Sequence, residues 1–405
     1  MLDDFGQRIR DITLSEMDLS RELSDEEICD LIGSVVSREA RDRPMTIKDR
    51  AELERTIFNS LRKLDVLQEL VDDRDVTEIM VNGPNDIFYE KAGRIQRFKG
   101  HFSSEEKLED VIQQIVGRHN RVVNQASPIV DTRLSDGSRV NIVLNPISIG
   151  GSAVSIRKFP EHPMSMERLV EIEALSPEVA RLLQILTQAK YNIFISGGTG
   201  SGKTTFLNAL SQYIPDDERI ITIEDSAELQ LLGAKNIVRL ETRNANTDGV
   251  TPITIRDLIR TALRMRPDRI IVGECRGAEA LDMLQAMNTG HDGSLSTGHA
   301  NSPHDIISRI ETMVLQGQDF PLNAIRQQIA SGIDIIVQLG RLRDKSRRVL
   351  EISEVDGFMD GEIVLHTLYR FEETAVLDSG RIQGFLKKAG TLCHTDKLMA
   401  AGLSV

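Results

Sequence analysis

One eight-residue segment limits the possible folds of this chain more than any other feature. It consists of Gly197, Gly198, Thr199, Gly200, Ser201, Gly202, Lys203 and Thr204, and an apolar run at 192–196 precedes it. Its glycines allow successive backbone N–H groups to turn toward one anion, and a helix starting near Thr205 would add the positive end of its dipole. Lys203 would contact the β- and γ-phosphates, and the Thr204 hydroxyl would bind Mg²⁺. We therefore predict a nucleotide-binding loop, including Thr205, between a strand and a helix.

The pattern around this loop predicts an α/β domain at residues 176–405. Apolar strands alternate there with helical patterns, which indicates a parallel sheet covered by helices. The predicted strands are 192–196, 220–223, 237–240, 269–273 and 333–339. Two later runs, 349–355 and 363–369, lie on either side of Asp356-Gly357 and are predicted to form an antiparallel hairpin that turns at this dipeptide.

The chain is too long for a single core. It has 405 residues, whereas one core rarely exceeds about 250–300 residues. Residues 1–70 show helical spacing, and Ser24 and Glu27 have the spacing of a capping box, so we predict a helical module. Residues 71–158 combine short strand-like runs with one helical stretch, which indicates an α+β domain. Pro160 and Pro163 mark a predicted linker at 159–175.

The composition narrows the function classes. A net charge of −13, an aromatic content of 4% and the lack of Trp argue against a nucleic-acid-binding surface. The three cysteines form no Cys-x-x-Cys pair, which argues against a zinc ribbon or a disulfide framework. The first residues show no secretory signal, and no apolar run approaches the ~20 residues of a membrane helix, so we expect a cytoplasmic protein.

Acidic residues follow two of the predicted strands at their carboxyl ends. Glu224, Asp225 and Glu228 come after the strand at 220–223, and Glu274 comes after the strand at 269–273. In an open α/β sheet, this end of each strand faces the ligand crevice. These carboxylates are therefore the candidates for activating water and for holding Mg²⁺ beside the phosphates.

The sequence spacing of five basic side chains allows two interpretations, a role in a site or an ordinary structural role. His291 and His299 could serve a site or could be ordinary surface histidines, and spacing does not distinguish these two alternatives. Arg133, Arg139 and Arg157 lie on strands of the α+β domain and could reach a γ-phosphate from a second domain or subunit. Ordinary ion pairs are the alternative that spacing favours. A two-residue turn between the first two arginines would also put them on opposite faces of the sheet.

In combination, these segments resemble the type II/type IV secretion ATPase superfamily. The resemblance rests on four motifs: the loop at 197–204, the acidic segment 222–228, the segment 272–276 and the histidine segment 289–299. The amino-acid sequences of segments 77–84, 131–139 and 286–314 are most similar to the CpaF-like branch, whose motor ATPases power Tad/Flp pili. The resemblance covers about residues 60–405.

The resemblance implies a RecA-like motor domain preceded by a PAS-like α+β domain, and the N-terminal helical module precedes both. It implies a ring of six subunits, in which ATP with Mg²⁺ binds between the two domains and hydrolysis moves them as rigid bodies. The partners would be inner-membrane platform proteins, at the cytoplasmic face of the inner membrane. The implied function is assembly of a Tad/Flp-type pilus, with retraction left open, or related secretion. No nucleic-acid partner is expected.

The resemblance also implies a role for each matching site residue. Glu228 matches the catalytic glutamate that polarises water, and Glu274 matches the Walker B position, which acts on Mg²⁺ through water. The other matches are His291 and His299, for γ-phosphate sensing and subunit contact, and Arg133, Arg139 and Arg157, for approach to the phosphates. The chain departs from many relatives at Ser226, where they have Pro, and it lacks the four-cysteine zinc insert of several pilus-extension ATPases.

Two other functions fit a phosphate loop less well. A RecA-like nucleic-acid translocase shares the core fold, but it needs a basic channel with stacking aromatics. A GTP-binding switch would carry the guanine-reading Asn-Lys-x-Asp motif, which does not occur. Both remain alternatives to the motor.

Overall fold

The computed structural model divides the chain into two compact units, Met1–Glu161 and His162–Val405. It describes residues 4–18, 20–21, 23–41, 43, 45–91, 93–118, 122–159, 163–243 and 251–405. Pro160, one of the two prolines predicted to mark the linker, lies outside these residues. No helix within the described ranges is both long and apolar enough to cross a membrane.

The first unit begins with a small helical bundle, as predicted. Ser24 and Glu27 form the expected capping box, because the Ser24 Oγ accepts from the Glu27 N–H at 3.2 Å and the Glu27 Oε2 accepts from the Ser24 N–H at 2.8 Å. The helices of this unit are α1 (Asp4–Glu16), α2 (Asp25–Glu39), α3 (Ile47–Arg62), α4 (Leu67–Asp72) and α5 (Glu105–Gly117). The bundle core consists of Ile9, Ile28, Ile32, Val35, Val36 and Ile57.

An antiparallel sheet of six strands, in the order β3-β2-β1-β6-β5-β4, follows in the described part of this unit. The strands are β1 (Val76–Asn82), β2 (Ile87–Lys91), β3 (Arg94–Arg97), β4 (Ile129–Arg133), β5 (Arg139–Val143) and β6 (Ala153–Arg157). Leu64, Leu67 and Leu70 pack in the core of this sheet and not in the bundle core. The helical core therefore ends earlier than the predicted boundary at residue 70.

The second unit is built on a sheet of nine strands, in the order β15-β14-β13-β12-β7-β11-β10-β8-β9 over the described residues. The strands are β7 (Ile193–Gly197), β8 (Arg219–Glu224), β9 (Asn236–Glu241), β10 (Arg269–Val272), β11 (Leu295–Gly298), β12 (Ile335–Arg341), β13 (Arg347–Met359), β14 (Glu362–Val376) and β15 (Ile382–Lys388). The run from β12 to β9 is parallel, as predicted, and β13 to β15 extend it antiparallel.

Helices cover both faces of this sheet, and each face has its own apolar core. The helices are α6 (Met166–Glu171), α7 (Pro177–Gln188), α8 (Lys203–Ser211), α9 (Ile255–Ala262), α10 (Glu279–Asn288), α11 (Pro303–Gly317), α12 (Leu322–Gly332) and α13 (Asp396–Ala401). Met166 and Leu169 of α6 are buried in one of the cores. The predicted linker 159–175 is therefore too long at its C-terminal end, because apolar side chains there pack in the second unit.

The predicted hairpin exists, but its turn lies elsewhere. Asp356-Gly357 falls within β13, where the pairing register shifts between Val355 and Gly357, so Gly357 belongs to a bulge. The turn is Asp360-Gly361, with φ +51° and +86°, and the two positive values are those that a tight two-residue hairpin loop requires. Both dipeptides are Asp-Gly, and only the strand register distinguishes them.

Candidate active site

The phosphate loop leaves the sheet at the carboxyl end of β7 and enters α8. Gly200 and Gly202 have φ values of +71° and +94°, in the left-handed region that favours glycine, and Gly202 precedes the first helical residue, Lys203. A Cβ on Gly197 would lie 2.7 Å from the carbonyl oxygen of Leu339, on the adjacent strand β12. The loop therefore has the backbone shape and the helix N-terminus that binding of an anion requires.

Lys203 lies at the centre of this loop, with only 8% of its surface exposed. Its Nζ donates to the carbonyl oxygens of Gly197 at 3.0 Å and Gly198 at 3.1 Å. Burial lowers the pKa of Lys203, and the nearby Glu274 carboxylate opposes this shift. A buried ammonium held by two neutral carbonyls is a site where an incoming phosphate would gain a strong charge-assisted contact.

A strand that the sequence analysis missed brings His299 into the site. Strand β11 lies between β7 and β10, and His299 is the first residue after it. Its Nδ1 lies 3.3 Å from the Lys203 Nζ, and its Nε2 lies 2.8 Å from the Glu274 Oε1. Burial and the Lys203 cation lower the pKa of His299, and Glu274 opposes them. Three predicted site residues thus form one array, which we call the Lys203–His299–Glu274 array.

The Glu274 carboxylate lies between His299 on one side and Arg276 on the other. Its Oε2 accepts a hydrogen bond from Arg276 at 2.7 Å, and this bond raises the pKa of Arg276. The residues on both sides of Glu274 are bonded to Thr297 of β11: the Thr297 hydroxyl donates to the Gly273 carbonyl at 2.8 Å, and the Cys275 N–H donates to the Thr297 carbonyl at 2.8 Å. Arg276 was not predicted as a site residue, although it lies in the segment 272–276 that carried the resemblance.

The acidic segment after β8 positions Glu228. The Glu224 side chain is 4% exposed, and its Oε1 accepts from the N–H groups of Glu228 at 2.8 Å and Leu229 at 2.9 Å. The Gln230 N–H donates to the Asn208 side chain of α8 at 2.9 Å, which joins this segment to the helix after the phosphate loop. Glu224 is thus an anchor of the turn, and Glu228 is the half-buried carboxylate that the turn presents.

The oxygen donors at this edge of the sheet suit Mg²⁺. Thr204 is half-buried at the start of α8, and Thr205 beside it is exposed. A hydroxyl and a carboxylate such as Glu274 are the hard oxygen ligands that Mg²⁺ takes in combination with phosphates and water. Within the described residues, no group of three or more His, Cys, Asp or Glu side chains could hold a metal ion alone. The residues present therefore fit an ion that is bound together with a nucleotide.

His291 lies at the opposite edge of the sheet. Strand β11 runs parallel to β7, with Leu295 opposite Ile193, and His291 precedes this amino-terminal end. Its Nδ1 lies 3.2 Å from the carbonyl oxygen of Ala286, at the end of α10. The structure therefore brings His299, but not His291, to the phosphate loop of the same chain.

The three predicted arginines form a row on the sheet of the first unit. Arg133 lies opposite Arg139, and Arg139 lies opposite Arg157, so all three share one face. A two-residue turn would have put Arg133 and Arg139 on opposite faces, and the structure has a longer one. The Leu134 N–H donates to the Ser138 carbonyl at 2.9 Å, which leaves a loop of three residues, 135–137.

This arginine row concentrates like charge on one face. Arg157 is 66% exposed and lies opposite Glu78 of β1, with 3.9 Å between the Arg157 Nε and the Glu78 Oε1. Guanidinium groups that lie side by side can bind one anion, such as a phosphate, through several charge-assisted hydrogen bonds. The row is therefore a second candidate anion site, in a different unit from the phosphate loop.

The chain matches the family described as "Type II/IV secretion system protein" over residues 60–383. A putative conjugal transfer protein of Mycobacterium tuberculosis is 33% identical over 322 residues, which cover 77% of this chain and 91% of that protein. The type IV secretion system protein PtlH of Bordetella pertussis is 33% identical over 320 residues, which cover 73% and 94%.

Two solved structures show the same fold. The pilus retraction motor PilT with bound ADP has a TM-score of 0.55 at 22% identity, over 82% of this chain and 84% of that one. The Legionella pneumophila ATPase DotB has a TM-score of 0.51 at 22% identity, over 72% of this chain and 80% of that one. The predicted RecA-like α/β fold is confirmed.

Proposed function

The chain belongs to the family of type II/IV secretion system proteins. We propose that it is an ATP hydrolase and the hexameric motor of a Tad/Flp-type pilus. In this proposal, hydrolysis of ATP changes the arrangement of the two units in each subunit, and these motions drive pilus assembly. The observation that carries the motor chemistry is the Lys203–His299–Glu274 array beside the phosphate loop.

Each residue of the site has a separate task in this proposal. The backbone N–H groups of the loop and the Lys203 ammonium bind the β- and γ-phosphates. Thr204 and Glu274 would hold Mg²⁺, which neutralises phosphate charge when it is bound. Glu228 orients the attacking water and takes its proton, and His299 contacts the γ-phosphate in this proposal.

The arginine row supplies the charge that the phosphate loop alone lacks. Transfer of a γ-phosphoryl group is accelerated by an arginine that reaches it from another domain or subunit. Arg133, Arg139 and Arg157 lie in the first unit and the phosphate loop lies in the second, so such a contact would couple hydrolysis to the arrangement of the units. This coupling is what a motor needs, and a ring of six subunits provides it repeatedly.

The choice of a Tad/Flp pilus rests on the segments 77–84, 131–139 and 286–314, which resemble that branch. The proposed partners are platform proteins of the inner membrane, and the proposed location is the cytoplasmic face of that membrane. The net charge of −13 supports a protein partner over a nucleic acid.

A second candidate function is a type IV secretion or conjugation motor. The names of two relatives, a conjugal transfer protein and the secretion protein PtlH, favour it. The same site would serve either machine, because the chemistry is identical and only the partner differs.

The test is deletion of the gene in its host and complementation with the wild type, Lys203→Ala or Lys190→Ala. Lys190 is the control, because it is a lysine of the same unit that pairs with Glu218 at 3.6 Å and lies outside the loop. Surface pili are counted by electron microscopy, and protein secretion and plasmid transfer are measured in parallel. The proposal is supported if the deletion abolishes pili, if the wild type and Lys190→Ala restore them, and if Lys203→Ala does not. Normal pili with lost secretion or transfer would instead establish the second candidate.

A further inference from the structure

An exposed arginine from a distant part of the sequence contacts the phosphate loop. The Arg347 Nε donates to the carbonyl oxygen of Gly200 at 2.8 Å. A Cβ on Gly202 would lie 3.5 Å from the Arg347 Cδ, so the aliphatic part of the side chain lies against that glycine. Arg347 therefore contacts the two loop glycines that have positive φ.

The turn before β13 holds Arg347 in place. This turn comprises residues 342–346, and the Leu342 N–H donates to the Ser346 carbonyl at 2.8 Å. The Asp344 carboxylate accepts from the Ser346 N–H at 2.9 Å and from the Ile382 N–H at 2.8 Å. Because the turn is bonded both internally and to β15, the backbone that carries Arg347 has a fixed position.

A glycine-rich loop is costly to order, and a contact outside the anion site reduces this cost. Glycine loses more conformational freedom on ordering than any other residue, and segment 197–204 contains four of them. A loop that is already held in its binding shape loses less entropy when the ligand arrives, so its affinity is higher. The Arg347 guanidinium acts on the carbonyl side of the loop, which leaves the N–H groups for the phosphates.

We propose that Arg347 is a positioning residue that holds the phosphate loop in its nucleotide-binding shape. It acts through Gly200 and Gly202 and does not touch the nucleotide. The inference goes beyond the proposed motor function, because it holds whether the motor serves a pilus or a secretion system.

The test compares three variants of the full-length protein: Arg347→Gln, Arg347→Lys and Arg370→Gln. Arg370 is the matched control, because it is an exposed arginine of β14 that pairs with Glu351 at 3.2 Å and does not contact the loop. The readouts are the Kd of a fluorescent ADP analogue, the KM for Mg-ATP and kcat, with the melting temperature measured for each variant.

For Arg347→Gln, Kd and KM should both rise about three- to tenfold, because one exposed charge-assisted hydrogen bond is lost. The kcat at saturating ATP should stay within about twofold, because the transition-state contacts are intact. Arg347→Lys should recover part of the affinity, because an ammonium can still donate to the Gly200 carbonyl. Arg370→Gln should behave as wild type.

Two results would overturn the proposal. An unchanged Kd in Arg347→Gln would show that the loop needs no such contact. A large fall in kcat at an unchanged Kd would make Arg347 a transition-state residue instead of a positioning residue. If Arg347→Gln has a lowered melting temperature, the Kd and kcat of Arg347→Lys are used instead to test for these two results. Inactive wild-type protein would contradict the motor and leave the Kd comparison valid, so the two failures are distinguishable.

Discussion

His299 Nε2 lies 2.8 Å from Glu274 Oε1, and the same imidazole lies 3.3 Å from the Lys203 ammonium. One histidine thus lies between the residue proposed to bind phosphate and the residue proposed to bind Mg²⁺. The contact exists because β11 lies between β7 and β10, so the segments that follow these three adjacent strands start at the same edge of the sheet. His299 follows β11, Glu274 lies just after β10, and Lys203 begins the helix after the loop that follows β7. Any group that displaces Lys203 from this array also changes the surroundings of Glu274.

Replacing Lys203 by Ala should weaken nucleotide binding itself. The ammonium is a buried charge that would pair with the β- and γ-phosphates, and a hydrogen bond to a charged group contributes about 1.5–3 kcal/mol. The dissociation constant for ATP should therefore rise roughly 10- to 100-fold. Equilibrium binding of a fluorescent ATP analogue checks this, and wild-type affinity in the variant would remove Lys203 from the site.

Replacing Glu228 by Gln should stop turnover and leave binding intact. The amide keeps the size of the side chain but cannot take a proton, so kcat should fall ~10²-fold or more. Steady-state hydrolysis and nucleotide affinity are measured together, with Glu167→Gln, an exposed glutamate of α6, as the control. A variant that retains both turnover and affinity would show that another group activates the water.

Replacing Arg139 by Gln should lower ATPase activity. Arg139 lies between Arg133 and Arg157 in the row, so its removal takes away positive charge proposed to act on the γ-phosphate. We expect kcat to fall at least tenfold, by the reasoning for a trans-acting arginine, and the melting temperature is measured for the same variant. Arg94→Gln, on the far edge strand β3, is the control. If Arg139→Gln melts early, the row is structural.

Acid should weaken the turn that carries Arg347. Hydrogen bonds from the Ile382 N–H and from Ser346 lower the pKa of Asp344 from 3.8 to about 2. Because the folded state favours the ionised form, this carboxylate stabilises the fold above its unfolded pKa. That contribution is lost as pH falls from about 4 toward 2.

The gap in melting temperature between wild type and Asp344→Asn measures this effect. It should be constant from pH 7 to pH 5 and should shrink below pH 4. A gap that is the same at pH 7 and pH 3 would show that hydrogen-bond geometry, and not the charge of Asp344, stabilises the turn.

Much of the site could be predicted because its residues lie at the ends of short, strongly apolar strands. The runs before Gly197, Glu224 and Glu274 are buried on both faces and read as parallel strands in any context. Because the carboxyl ends of parallel strands lie at one edge of the sheet, the residues that follow these strands are expected to lie close together. The fold and the positions of Lys203, Glu228 and Glu274 follow from this reasoning.

The missing parts depend on contacts that have no local signal. Strand β11 is only Leu-Ser-Thr-Gly, which reads as a loop, so the partnership of His299 and Glu274 could not be derived from spacing. The shared face of Arg133 and Arg139 depends on one extra loop residue. Arg347 contacts Gly200 across a large sequence separation, and no motif indicates it.

The most direct test of the account is specific ATPase activity measured against protein concentration, with the oligomeric state followed by mass photometry in the same samples. If an arginine of one subunit completes the site of the next, activity per subunit should rise in step with the fraction of hexamers that form with Mg-ATP. Arg139→Gln should form the same hexamers and remain slow at every concentration. Full specific activity at concentrations where only monomers are present would contradict the account.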